Sequence, residues 1–178
     1  GILDAAFDVF DPDVPDLFQI RVLGAELRQL ENKQWEQITL PHTPFVEPLT
    51  VLHQWQGICY YKKKITITPE EAKKHIWIEF EGAMHLADVW INGKHVMQHA
   101  GGYTPFVVDA TGLLKTGKEN ELLVRLDNRN NSLIPPGKPL ETLDFCYYGG
   151  IYRNVHLIAK ADVHITHPII CLLYTSDA

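Results

Sequence analysis

Residues 76–94 read IWIEFEGAMHLADVWINGK, and in them Ile76, Ile78 and Phe80 alternate with Trp77, Glu79 and Glu81. A period of two places successive side chains on opposite faces of an extended chain, so the run predicts a strand with one buried face. Further on, Val89 and Ile91 share one parity, Trp90 takes the other, and Asn92-Gly93 follows at once. That dipeptide tolerates the positive φ angles of a two-residue hairpin turn. It joins a predicted strand over residues 88–91 to another over residues 94–98. The alternation recurs in Leu122, Val124 and Leu126 against Leu123, Arg125 and Asp127, and again in Val155, Leu157 and Ala159. Residues 35–40, 60–67, 106–109 and 163–166 bring the total to about nine strands, the number that suits two packed antiparallel sheets. The predicted fold class is all-β.

Helical signals are few. Thr68-Pro69-Glu70-Glu71 has the form of a helix start, with Thr68 as N-cap, Pro69 in the first helical position and Glu71 placed to bond back. Leu23, Leu27 and Leu30 fall at helical spacing, but the preceding FQIRVL favours strand, which limits that segment to a turn or two.

Composition agrees with one globular domain. The chain has 178 residues, 46% of them apolar and 21% charged, with a net charge of −6. Its densest basic run is Lys62-Lys63-Lys64, a solvated strand end rather than a nucleic-acid footprint. No apolar run approaches the roughly 20 residues of a membrane span, and residues 1–13 lack the basic start and apolar stretch of a secretion signal. Neither nucleic acid nor membrane is therefore an expected partner. One domain is expected over residues 1–168, with residues 169–178 as a truncation remnant or tail. The three cysteines, Cys59, Cys146 and Cys171, are too few for a disulfide framework or a paired zinc knuckle.

Generic catalytic motifs are absent from the sequence. It has no glycine-rich phosphate loop after a strand and no Gly-x-Ser-x-Gly elbow. His95 and His99 are four apart, but on a strand that spacing does not close a metal site. Cys146 has no evident base to activate it and fits a small buried hydrophobe. No metal or cofactor is expected.

Five segments are distinctive in series: FEG at 80–82, VWING at 89–93, GGYTPF at 101–106, VRLDN at 124–128 and GGIYRNV at 149–155. In this order they resemble the N-terminal jelly-roll domain of glycoside hydrolase family 2, the family of β-galactosidases, β-glucuronidases and β-mannosidases. LPHTPFVEP at 40–48, PPGKPL at 135–140 and LDFCYYGG at 143–150 are most similar to the β-galactosidases. The resemblance implies a galactose-binding-like jelly-roll sandwich, followed in the family by an immunoglobulin-like domain and a barrel. The family's acid and nucleophile are a pair of barrel glutamates, held about 5 Å apart for retaining hydrolysis. Nothing in this sequence matches those barrel motifs, so the chain alone is expected to be catalytically silent.

The resemblance also implies a role at the substrate. In the family a loop of this domain commonly reaches the barrel's active-site mouth, and the aspartate before the Gly-Gly-Ile-Tyr-Arg motif bonds a hydroxyl of the terminal sugar. The matching residue here is Asp144; an ionised carboxylate is acceptor-only and takes two sugar hydroxyl protons. His42 lies in a second stretch able to approach the barrel, and Tyr147 adjoins the motif. Asp144, His42 and Tyr147 are therefore the expected substrate-binding residues, for a β-galactoside-like carbohydrate in the full enzyme. Arg153 is expected to pair with a carboxylate, either of this domain or of the neighbouring barrel. Trp90, on the outer parity, fits a domain interface better than a sugar platform. The competing reading is an autonomous carbohydrate-binding module, which would bind sugar on an exposed aromatic platform without a barrel.

Overall fold

The computed structural model describes residues 17–23, 35–46, 54–139, 142–143, 145 and 147–165. Among these lie nine strands: β1 (Leu17–Leu23), β2 (Glu36–Thr39), β3 (Ile58–Thr66), β4 (His75–Phe80), β5 (Leu86–Ile91), β6 (Lys94–Ala100), β7 (Phe106–Asp109), β8 (Glu119–Asp127) and β9 (Val155–Lys160). One sheet has six strands in the order β2-β1-β3-β8-β5-β6, and the other has three in the order β7-β4-β9. Every strand pairing is antiparallel.

The predicted parity decides which side chains lie between the sheets. Ile76, Ile78 and Phe80 of β4, Val89 and Ile91 of β5, and Leu122, Val124 and Leu126 of β8 are all buried. Burial of apolar area at roughly 25 cal/mol per Å² is the main force holding the two layers together. Phe80 stacks on Phe106 with ring centroids 4.6 Å apart, joining neighbouring strands within the smaller sheet.

The β5–β6 hairpin turns where Asn92-Gly93 predicts, with φ of 52° and 78°. Asn92 does more than turn. Its amide donates to the Leu113 carbonyl at 3.1 Å and its side-chain oxygen accepts the Glu121 N–H at 3.1 Å, so the hairpin also clasps the β7–β8 connection. A Cβ on Gly93 would meet nothing within 4 Å, which leaves backbone conformation as the whole penalty for a side chain there. Gly93→Val should cost about 1 to 3 kcal/mol. Urea unfolding of the two proteins checks this, and equal midpoints would contradict it.

The Thr68 capping box forms with both of its bonds. Thr68 N–H donates to Glu71 Oε2 at 2.6 Å, and Glu71 N–H to Thr68 Oγ1 at 3.2 Å. The helix that follows is a single 3-10 turn, Glu71–Lys73, with Glu70 at its N-cap, so Thr68 does not hold that position and Pro69 lies in the turn before the helix rather than in its first position. Of the segment 163–166 predicted as a strand, residues 163–165 are extended-free coil and Thr166 lies outside the described residues. The polar side chains beside them are taken instead by the outer face of β4: Asp162 sits 3.2 Å from His75 Nε2, and His164 packs against Trp77 at 5.3 Å. Leu27, Leu30 and the expected tail at 169–178 also lie outside the described residues.

Candidate functional site

One end of the sandwich is built almost entirely from the distinctive motifs. There β4, β6 and β8 finish and β3, β5, β7 and β9 begin, so residues 81–85, 101–105 and the described residues of 128–154 come together as neighbouring connections. Residues 40–46, leaving β2, join them through the His42 N–H, which donates to the Ile151 carbonyl at 2.7 Å.

The Gly149-Gly150-Ile151-Tyr152 run is the spine of this end. The Gly150 carbonyl accepts the Met84 N–H at 3.0 Å, just past the FEG motif. Gly150 has φ of 101°, and a Cβ there would fall 2.6 Å from the Tyr61 hydroxyl and 2.7 Å from the His42 carbonyl oxygen. At Gly149 a Cβ would fall 2.7 Å from the side-chain nitrogen of Asn128, the last residue of VRLDN. Asn128 is itself committed, accepting from Gly57 N–H at 2.8 Å and donating to the Trp55 carbonyl at 3.1 Å. The Tyr152 hydroxyl donates to the Gly102 carbonyl of GGYTPF. Glu81 accepts the Asn154 N–H and lies 3.0 Å from His156 Nε2, a bond that holds its carboxyl below the usual range. Residues of FEG, GGYTPF, VRLDN and GGIYRNV thus answer to contacts with one another at this end.

The expected site residues fare differently. His42 is half-buried with Nδ1 3.0 Å from the Tyr61 hydroxyl. Burial lowers its pKa, against a smaller opposing pull from Glu36, so the ring is neutral at neutral pH. Tyr147 does not stand free for a ligand as a sugar-contacting side chain would. It is only 4% exposed, and its hydroxyl lies 2.6 Å from His85 Nδ1. Burial pushes its phenol well above the ordinary tyrosine range and the His85 imidazole below the ordinary histidine range, so the pair is neutral. Asp144 lies outside the described residues, as does Cys146. The described residues on either side of Asp144 in sequence have these contacts. Leu143 packs against Met84 and Tyr147, and the Tyr147 N–H donates to Gln54 Oε1 at 2.6 Å, while Phe145 is exposed.

His85, Gln54 and Tyr61 therefore support the candidate site and were not predicted. His85 and Gln54 reach Tyr147 from 62 and 93 positions away in sequence. No local pattern announces such a pairing; only the convergence of connections at one sandwich end does.

Other expectations resolve as follows. His95 bonds Asp88 Oδ1 at 3.1 Å and His99 meets Thr104 Oγ1 at 3.3 Å, so the two histidines serve separate partners. Trp90 is half-buried on the outer face of the six-stranded sheet, edge-on to His95 at 5.0 Å. Arg153 is exposed, with its guanidinium 5.9 Å from the Tyr152 ring.

Comparison with known proteins agrees with this architecture. Residues 24–161 match the model of the glycosyl hydrolases family 2 sugar binding domain. A β-galactosidase of Thermoanaerobacter pseudethanolicus is 36% identical over 138 residues, covering 76% of this chain and 18% of that enzyme. A β-glucuronidase of Bacteroides fragilis is 38% identical over 136 residues, covering 73% of this chain and 18% of that enzyme. Among solved structures, Bacteroides uniformis β-glucuronidase 2, covalently bound to cyclophellitol-6-carboxylate aziridine, superposes with a TM-score of 0.71. It shares 30% identity and is covered over 84% of this chain and 18% of its own. The matched part of these hydrolases is their non-catalytic domain. The chain belongs to glycoside hydrolase family 2, as its sugar-binding accessory domain.

Proposed function

We propose that the motif-built end of this domain completes the substrate pocket of a longer, β-galactosidase-like hydrolase, with Asp144 accepting hydroxyl protons of the terminal sugar. The observation that carries the reading is the double fastening of the Gly149-Gly150 spine. His42 bonds Ile151 on one side, and Tyr147, anchored by His85 and Gln54, lies on the other. A loop held at its root presents a carboxylate with little ordering cost when the sugar binds. Here Tyr147 is a positioning residue beneath the loop. Neutral His42, its Nδ1 engaged by Tyr61, lines the approach.

In the full-length parent enzyme, Asp144→Ala should lower kcat/KM on a nitrophenyl β-galactoside at least about tenfold, since a charge-assisted hydrogen bond is worth roughly 1.5 to 3 kcal/mol. Wild-type kinetics in that variant would reduce Asp144 to a turn residue. Micromolar galactoside binding by the 178-residue chain alone, lost on the same substitution, would favour an autonomous module instead.

A further inference from the structure

Arg153 forms no ion pair with another described residue, its guanidinium lying over the Tyr152 ring. Arg153 Cδ lies 3.1 Å, and the Tyr152 hydroxyl 2.9 Å, from where a Cβ on Gly82 would stand, so a glycine at 82 leaves room for both side chains. The guanidinium lies 5.9 Å from the Tyr152 ring, and that ring is held by its own hydroxyl on the Gly102 carbonyl. Glu81, the acidic residue at the end of β4, is occupied by His156 and by the Asn154 N–H. Among the described residues no carboxylate comes within ion-pair distance of Arg153. Of the two partners that the sequence leaves open, one within the domain and one outside it, the first is therefore missing among the described residues.

The end that carries Arg153 also exposes several large apolar side chains. Tyr103, next to Gly102, is 49% exposed, and Phe45, Leu133 and Phe145 are also exposed on connections of this same end. Exposed aromatic and aliphatic side chains on the same end as an exposed arginine are the residue types that protein interfaces use. Tyrosine and arginine carry a disproportionate share of their energy.

We propose that Arg153 is a docking anchor, its planar fork taking an aspartate or glutamate carboxylate of the polypeptide that makes up the rest of the parent hydrolase. The matched domain is 18% of the length of the related enzymes, so most of the chain it works with lies elsewhere. The anchor sits at the end that carries the candidate substrate loop. It rests on the proposed function only in placing that end against the rest of the enzyme. Two parallel N–H···O bonds fix orientation as well as distance, which lysine does not reproduce.

Hydrogen exchange on the full-length enzyme tests this without substrate, so its outcome is independent of the Asp144 kinetics. Arg153→Glu should speed amide exchange about tenfold in residues 101–105 and in at least one acidic peptide beyond residue 178, through local opening of the contact. Arg153→Lys should give an intermediate increase. Faster exchange confined to residues 1–178 would make Arg153 an internal brace and overturn the proposal, as would no change at all. A rise in KM for a nitrophenyl β-glucuronide alone, at unchanged exchange, would assign the guanidinium to a sugar carboxylate and overturn it too.

Discussion

Asn120→Leu is expected to lower the stability of the domain by about 3 kcal/mol or more, from loss of buried hydrogen bonds in a side chain with the same number and branching of heavy atoms. Asn120 is 1% exposed and is the second residue of β8, at the end opposite the candidate site. Its side-chain oxygen accepts the Lys115 N–H at 2.7 Å and the Asn92 amide at 2.9 Å. Its amide donates to the carbonyls of Lys115 and Lys118, both at 3.0 Å, and to that of Ile65 at 3.3 Å. One side chain thus ties β3, the β5–β6 hairpin and the β7–β8 connection together. Leucine would leave a backbone N–H, the Asn92 amide and several carbonyls without their partner, each costing about 1 to 3 kcal/mol where water cannot reach. Lys115 and Lys118 are exposed, so part of that cost is recovered by hydration, which keeps the figure near the low end of the sum. At about 2 to 4 °C per kcal/mol for a domain of this size, the thermal midpoint should fall by roughly 6 °C or more. A fall of less than 2 °C would mean, on that same scale of about 2 to 4 °C per kcal/mol, that Asn120 is peripheral.

Asn120 also shows where sequence reading stops. It sits in KTGKEN, which reads as an ordinary turn leading into a strand, and nothing local distinguishes it from the exposed residues beside it. The alternations at 76–81 and 122–127 were legible because a strand's parity is written in consecutive residues. Asn92-Gly93 was legible because a two-residue turn has strict backbone demands. The pairing of Asp88 with Arg125 was not, since it requires knowing that β5 lies beside β8. Those residues face one another in register on the outer side of the larger sheet. Arg125 Nη1 bonds Asp88 Oδ2 at 3.1 Å, its Nη2 bonds Asp127 at 3.1 Å, and Arg129 closes on Asp127 at 2.6 Å. Burial raises the Asp127 carboxyl, but the Arg129 bonds outweigh it and the net pKa lies below the usual range. These acidic residues are covered by their own partners rather than by the core, so hydrophobic parity alone would have left them exposed.

The candidate site was half legible in the same sense. The glycines of the Gly149-Gly150 pair stand out in sequence, and the resemblance marks their neighbourhood as functional. What excludes a side chain at each glycine appears only in space, as the Asn128 side chain at Gly149 and as the Tyr61 hydroxyl and the His42 carbonyl at Gly150. The segment after β9 failed for the converse reason. Val163 and Ile165 have strand parity, but both are exposed and no strand pairs with them among the described residues.

Gly150→Ala should be the most damaging methyl addition at the motif end, costing about 3 to 5 kcal/mol from two sources that add. The first is backbone: φ of 101° lies where a Cβ clashes with its own chain, a penalty of about 1 to 3 kcal/mol. The second is packing. The new methyl would stand 2.6 Å from the Tyr61 hydroxyl, 2.7 Å from the His42 carbonyl oxygen and 2.8 Å from Pro44 Cδ. Tyr61 is fully buried in the core and the His42 carbonyl is backbone, so neither moves cheaply, and overpacking of this kind costs about 1 to 3 kcal/mol. Gly117→Ala separates the two sources, because Gly117 has φ of 63° with nothing within 4 Å of its would-be Cβ. That variant should lose only the backbone part, about 1 kcal/mol. Chemical denaturation of both proteins yields the comparison directly. If the chain relieves the clash by moving the 40–44 segment away from Ile151, the His42 N–H loses its carbonyl. Exchange at that amide then rises in Gly150→Ala and stays unchanged in Gly117→Ala. Equal destabilisation by the two substitutions would mean that the close approach at Gly150 carries no energy and that the loop root is not braced by His42.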